Sequence, residues 1–410
     1  MKKVVLALLV ILASFGFSYS LLFEGGYLYY DGNDFSLETN SLTFIPVKFS
    51  TDTKFDGTFY TKSSLRFDQT FDNSYVYFDG QFFTASFFVP LAVVNVNEAY
   101  VETYTNFGDL KVGKFVEKLV DSEVFKVYDK IGSYLAGEKL SITGAKYAYT
   151  TNYGTLGLYT FSTFESLPSS KPASYVYTVK TNLPDETKMA ILASMQGGGL
   201  PIVFKDQKFA DHFSYAINWS GNVLGVDYGV LLAYKKSNYL VVDKILEDGV
   251  HLKWPFVYTA SLSFVYQIPS TSFIVHNYTG FESENKSTFN LPVEGLGEVE
   301  IEEKVPSVLE NVFGIEYQIG TQGLIGFDGY IRLYDFEYYD SAISVYGDYK
   351  KDEFGVKGMV KYNMKSEKID VMYEGSYNVD DYTALFARGL YSKIDDSDTN
   401  VVMIGVKVSY

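Results

Sequence analysis

The segment Asn400–Tyr410 alternates with a period of two, and that alternation constrains the fold more than any other feature of the chain. Val402, Ile404, Val406, Val408 and Tyr410 fall on one side, and Met403, Gly405, Lys407 and Ser409 on the other. Successive side chains of a strand point to opposite faces, so one face here is wholly apolar and the other is small, polar or charged. The pattern returns along the chain. Phe213, Tyr215, Ile217 and Trp219 oppose Ser214, Ala216 and Asn218, while Ile325, Phe327, Ile331 and Leu333 oppose Asp328, Tyr330 and Arg332. Later, Leu385, Ala387 and Tyr391 oppose Phe386 and Arg388. The charges keep almost entirely to one side.

Strands with two such faces need two environments. A helical membrane bundle is excluded beyond residue 20, because the chain has no apolar run long enough to span a bilayer as a helix. The nearest stretch, Phe82–Val94, is broken by Thr84, Ser86 and Pro90. A lipid-facing Lys or Arg near the bilayer centre costs roughly 2–4 kcal/mol, so the charged faces must line a lumen. The pattern therefore predicts an all-β protein, a transmembrane antiparallel β-barrel with its apolar faces outward. With 37 Tyr and 33 Phe, the chain has rings enough to girdle both membrane interfaces. About 20 candidate runs can be marked, counting halves of broken strands, and for an even-numbered barrel 18 strands are expected, with 16 and 20 close behind. They form one domain over residues 21–410, without an interdomain linker.

Short Gly- and Asn-bearing links such as Ser220-Gly221-Asn222 join many strands. Longer interruptions stand at 115–139, of mixed charge and some helical character, and at 194–210, 235–254 and 281–306. The last is rich in glutamate. In such barrels long loops belong to the outer face and short turns to the inner one.

The first residues read as an export leader. Met1-Lys2-Lys3 is basic, Val4–Phe17 is apolar and uncharged, and Ser18-Tyr19-Ser20 is a small-x-small cleavage site. Residues 1–20 are thus expected to be a cleaved signal peptide. Loss of Lys2 and Lys3 takes the formal charge from −16 to −18. So acidic a chain has no electrostatic case for binding nucleic acid. With no cysteine, thiol catalysis, disulfides and cysteine-ligated zinc are out of reach. His212, His251 and His276 carry no local catalytic motif, so the chain is not expected to be an enzyme. No cofactor or metal is expected, and Asp395-Asp396-Ser397-Asp398 reads as a solvated acidic turn.

The stretch Asn97–Lys114, with Tyr100, Phe107, Gly108, Leu110, Gly113 and Lys114 at matching positions, resembles the paired strands of trimeric bacterial diffusion porins. The alternation ending at Tyr410 is similar to the insertion signal of outer-membrane barrels. The resemblance implies that the next segment, 116–138, folds inward and narrows the pore. Glu117, Asp121, Glu123 and Asp129 would then border the opening. Facing them on the wall, the alternation puts Lys62, Arg66, Glu98, Glu102, Asp328, Arg332 and Arg388 inside. Val116, Leu119, Val120, Phe125, Tyr128, Ile131, Tyr134 and Leu135 give the segment an apolar side.

The implied protein is a porin of the cell outer membrane. It passes small hydrophilic solutes and ions by passive diffusion, with a weak cation preference. Its partners would be outer-membrane lipid, the barrel-insertion machinery and two further copies in a homotrimer. The alternatives are a solute-selective barrel and a structural one with little general diffusion.

Overall fold

The computed structural model describes residues 18–32, 55–86, 90–131, 134–135, 138–162, 175–197, 202–204, 213–237, 239–246, 249–394 and 397–409. The first barrel strands are β1 (Ser18–Gly32), β2 (Phe55–Phe71), β3 (Ser74–Ser86), β4 (Pro90–Thr105) and β5 (Gly108–Phe115). After an irregular segment come a two-residue ribbon, β6 (Tyr134–Leu135) and β7 (Glu138–Lys139), then the barrel strands β8 (Ile142–Thr151) and β9 (Gly154–Ser162). An excursion holds β10 (Val176–Val179), helix α1 (Asp185–Gly197) and β11 (Ile202–Phe204). The barrel resumes with β12 (Phe213–Val223) and β13 (Val226–Lys236), is interrupted by β14 (Val241–Leu246) and β15 (Gly249–Lys253), and returns with β16 (Phe256–Gln267) and β17 (Phe273–Glu282). A last excursion is the hairpin of β18 (Asn285–Val293) and β19 (Gly297–Val305). The remaining strands run without interruption: β20 (Val308–Ile319), β21 (Gly323–Tyr334), β22 (Glu337–Lys351), β23 (Phe354–Asn363), β24 (Lys368–Asn378), β25 (Thr383–Ile394) and β26 (Ser397–Ser409).

The main sheet has 18 strands, as the alternation predicts. β1 pairs antiparallel with β26 from Leu22↔Ser409 to Gly32↔Thr399, which closes the cylinder and leaves no free edge at the seam. Facing follows the sequence pattern. Ile404, Val406, Phe313, Ile315, Ile325 and Phe327 are exposed on the outside, whereas Met403, Val312, Asp328 and Tyr330 are buried on the inside. An apolar belt of this extent, exposed along the described strands, is what lipid covers. Tyr410 and residues 1–17 lie outside the described residues. Ser18–Ser20 pair only with Arg66–Asp68 of β2, so the seam itself begins beyond the expected cleavage point.

The long connections share one end, which also carries short turns such as 335–336. One end carries turns such as 72–73, 106–107, 152–153 and 224–225; the other carries 116–141, 163–212, 237–255 and 283–307. Three of these long connections fold together. β10, β18 and β19 form one small sheet and β11, β14 and β15 another. Val179, Ile191, Val242, Phe289, Val299 and Ile301 pack between them as a core separate from the barrel. This cap departs from the loop readings of the sequence. The glutamate-rich 281–306 run is largely a hairpin, and Glu303 is fully buried, accepting hydrogen bonds from the Val242 N–H (2.9 Å) and Tyr177 hydroxyl (3.2 Å). The helix falls at Asp185–Gly197, after Pro184 and with an acidic first turn, and not in 115–139.

Candidate functional site

The segment from Val116 to Ile131 runs inside the barrel. β5 ends at Phe115, at a level where the neighbouring β4 continues, so the chain turns inward there. Glu98 of β4 fixes the turn by accepting the Val116 N–H at 2.8 Å. Asp121 shapes the middle of the segment by accepting the N–H groups of Tyr128 and Asp129 at 2.9 and 3.1 Å. These carboxylate bonds replace a helical backbone ladder and hold an irregular path without one.

Burial then fixes the segment on the wall. Phe125, Val127, Tyr128 and Ile131 join one core with Phe161, Leu231, Tyr278, Val312 and Tyr330 of the inner face. Phe125 stacks on Tyr330 with ring centroids 4.7 Å apart and planes 3° from parallel. The wall leaves room where the segment crosses it. A methyl added at Gly280 would overlap the Val127 carbonyl, and one at Gly229 would overlap the Tyr128 hydroxyl. Among the described side chains of the predicted apolar side, Val120 stands out at 68% exposed.

Polar ties reach β8, β12, β20, β21 and β23. Glu117 pairs with Lys146 at 2.7 Å, Tyr128 donates to Asn218 at 2.8 Å, and Lys130 pairs with Glu310 at 2.8 Å. Ser122 donates to Asp328 at 2.8 Å, and Glu123 stands 3.9 Å from Lys357. The segment thus covers the inner wall of one side of the cylinder. Arg66 (side chain 51% exposed) and Lys357 (63%) are exposed on the side formed by β23 to β26 and β1 to β5, and Asp227 of β13 and Asp348 of β22 are exposed on the other.

The four predicted acids have distinct positions. Glu117 and Asp129 are buried, the latter bound to Lys139 at 2.6 Å with both side chains sealed from solvent. Asp121 spends its oxygens on backbone N–H groups, and its burial pushes the carboxyl up to about 6. Glu123, with its side chain 55% exposed, is the one of the four open to solvent. The expectation that all four border an opening therefore differs from the structure, where three brace the segment.

Wall residues divide likewise. Asp328 is fully buried under the segment, and Arg332 binds Glu310 through two nitrogens at 3.0 and 2.7 Å. Arg66 pairs with Asp79 at 3.2 Å and Glu102 with Lys111 at 3.3 Å. Arg388 lies over the Phe386 ring at 4.6 Å. Lys62 stands in register with Glu24 and Phe83.

Two residues without a signal in the sequence organise the site. Glu310 joins Lys130, Arg332 and Tyr330, and His276 meets Asp328 at 2.9 Å. Ser122 and His276 both bond to Asp328 on different oxygens, an arrangement without the direct Ser–His bond that a nucleophile relay uses.

No family model matches the chain, and no curated protein does. Solved structures do. Pseudomonas aeruginosa OccD3 (OpdP) superposes with a TM-score of 0.53 at 8% identity, over 96% of this chain and 91% of that one. Pseudomonas aeruginosa OpdQ gives 0.51 at 10% identity, over 96% and 98%. A Rhodopseudomonas blastica porin gives 0.41 at 10% identity, over 96% and 100%. At these identities the likeness to the two Pseudomonas structures is one of fold.

Proposed function

We propose that this chain is an outer-membrane porin that gives small hydrophilic solutes and ions passive passage through a water-filled barrel. The observation that carries the reading is the course of residues 116–131, which line the inner wall from β8 to β23. An 18-stranded cylinder leaves an aqueous channel, and a segment packed against part of the wall narrows it without closing it. The exposed apolar belt supports a place in lipid, with the long connections and their cap facing outward. Residues 1–20 are removed on export. Assembly as a trimer and delivery by the barrel-insertion machinery belong to the same reading.

Solutes pass Glu123 and Lys357 at the segment's far end and the Arg66–Asp79 pair on the wall. With both signs present, selectivity is weak. The exposed Glu284, Glu294, Glu298 and Glu300 of the cap hairpin favour cations slightly at the mouth. Planar-bilayer recording of refolded protein tests the proposal. Stable single-channel steps with a small cation-directed reversal potential under a salt gradient are expected. Well-folded protein that conducts nothing, or selects strongly for anions, rejects it.

A further inference from the structure

Resting on the outer-membrane reading, the short-turn rim divides into two sides of opposite chemistry. Three successive turns carry no charge: 106–107 between β4 and β5, 152–153 between β8 and β9, and 224–225 between β12 and β13. Phe107, Tyr153 and Leu224 project from them, each at least 80% exposed. Asp109 and Asp227, which follow the first and third turns, alternate to the lumen side, in register with Tyr104 and Asn222. Across the cylinder, the β22–β23 and β24–β25 turns carry Asp352-Glu353 and Asp380-Asp381, all exposed. Apolar surface reaches that side too, with Phe354 against Tyr377 at 4.8 Å and Val379 and Tyr382 exposed, but the tips themselves are charged. Asp380 accepts the Tyr382 and Thr383 N–H groups at 2.8 and 2.7 Å, which holds its carboxyl below the usual range.

Two of the uncharged turns are built alike. Thr105-Asn106-Phe107-Gly108 and Thr151-Asn152-Tyr153-Gly154 share one pattern. In each, the threonine hydroxyl accepts the N–H of the ring residue, at 3.2 and 3.1 Å, and donates to the glycine carbonyl, at 2.6 and 3.0 Å. The carbonyl of the ring residue is closed as well. Tyr147 of β8 donates its hydroxyl to the Phe107 carbonyl. Tyr228 of β13 donates to the Tyr153 carbonyl at 3.0 Å and accepts the Trp219 indole N–H at 2.8 Å. Tyr147 and Tyr228 stand on the outer face, in register with the exposed Leu110 and Phe264. Water would supply such bonds to a turn that stands in it. Hydrocarbon cannot, so a turn that enters lipid must satisfy its backbone internally. Outward Tyr and Trp rings with their polar ends occupied belong to a membrane interface. The apolar belt of the strands therefore continues onto these tips.

We propose that the rim from β4 to β13 is a lipid-inserted surface. Turns 106–107, 152–153 and 224–225 seat in the headgroup–acyl boundary of the leaflet, with the exposed Asn106 and Asn152 toward the headgroups. The charged turns at 352–353 and 380–381 stand in water, so the cylinder leans toward its β8–β9 side.

The chain has no cysteine, so each single-cysteine variant places one nitroxide. Phe107→Cys, Tyr153→Cys, Leu224→Cys, Asp352→Cys and Asp380→Cys are refolded into phosphatidylcholine vesicles. Ile404→Cys serves as the reference within the belt, and heat-modifiable gel mobility checks folding. Power-saturation EPR compares collisions with oxygen, which partitions into lipid, and with a water-soluble nickel chelate. Positions 107, 153 and 224 should favour oxygen, as position 404 does, while 352 and 380 should favour nickel. Nickel-favouring readings at 107, 153 and 224, with position 404 in lipid, overturn the inserted rim. Loss of both collision signals at the three tips would mean that protein covers them, a second copy included, and would overturn lipid as the occupant. A position 404 open to nickel in folded protein would overturn the outer-membrane reading itself, and the rim with it.

Discussion

Glu310 shows how one carboxylate can hold an inserted segment still. Lys130 comes from the inward segment, and Arg332 and Tyr330 come from the wall; all three meet on its oxygens. Removing the charge leaves two cations facing each other. Breaking a buried pair costs about 3–5 kcal/mol, and solvent at Arg332, whose side chain is 36% exposed, reduces that here. Glu310→Gln should therefore keep the barrel folded while hydrogen exchange at residues 124–131 speeds up at least tenfold. Exchange that matches the parent would show that apolar packing alone anchors the segment. The outer face gives the contrasting case. Ile404 is 60% exposed toward lipid, so Ile404→Arg should lose about 2–4 kcal/mol in urea titration of the reconstituted barrel, while Lys407→Gln on the inner side changes little. Equal losses at the two sites would mean that the facing is inverted. The facing of Ile404 was legible from alternation alone. Glu310 was not, because it sits near the rim at the start of β20, three residues before the alternation at Phe313 declares itself, and its partner Lys130 is 180 residues away.

Among the elements, the inward segment was legible by place and not by conformation. The Tyr100 to Lys114 pattern located it, yet mixed charge at 115–139 suggested helix. In the structure Asp121 and Ser122 spend their side chains on backbone N–H groups, which compete with a helical ladder. Deleting residues 119–135 should leave a folded barrel with larger single-channel conductance and a higher size cutoff. It should also be less stable, since Leu231 and Val312, fully buried under the segment, would meet water at about 1.5–3 kcal/mol for each. An unchanged conductance and cutoff would show that the segment does not limit the pore. The cap was the least legible element. Its strands come from separate connections and find each other only in three dimensions, and the glutamates of β19 mask the alternation of Val299, Ile301 and Val305. Because its core is separate from the barrel's, Ile301→Asp should open 176–204 and 241–305 to limited proteolysis without shifting heat-modifiable gel mobility. Loss of the folded barrel form would show that cap and barrel are one cooperative unit.

At the scale of the whole molecule, cylinder and surface chemistry derive from one constraint. In lipid every backbone polar group needs an internal partner, so strands must close on themselves, and closure by β1 and β26 supplies it. Alternation decides which side chains then meet lipid and which meet water. That much is local, and it explains why the strand number was legible while the charge pattern of the lumen was only half so. The sequence places charges of both signs inward, but it does not say which are spent. In the structure Glu117, Asp129 and Glu310 are consumed by ion pairs with Lys146, Lys139 and Lys130. On the proposed channel reading, a permeating ion senses the exposed pairs Arg66–Asp79 and Lys357–Glu123 inside and the exposed cap glutamates at the mouth. On the proposed reading the inner groups nearly cancel and the cap's acids set the sign, by raising cation concentration at the entrance. A mouth field of this kind is screened over about 10 Å at 0.1 M salt and about 3 Å at 1 M. The reversal potential should accordingly favour cations slightly in dilute salt and approach the unselective value in concentrated salt. Replacing Glu294, Glu298 and Glu300 by Gln should remove most of the dilute-salt preference without altering conductance in concentrated salt. A preference that survives both high salt and this substitution would place the filter inside the barrel, at Glu123 and Lys357.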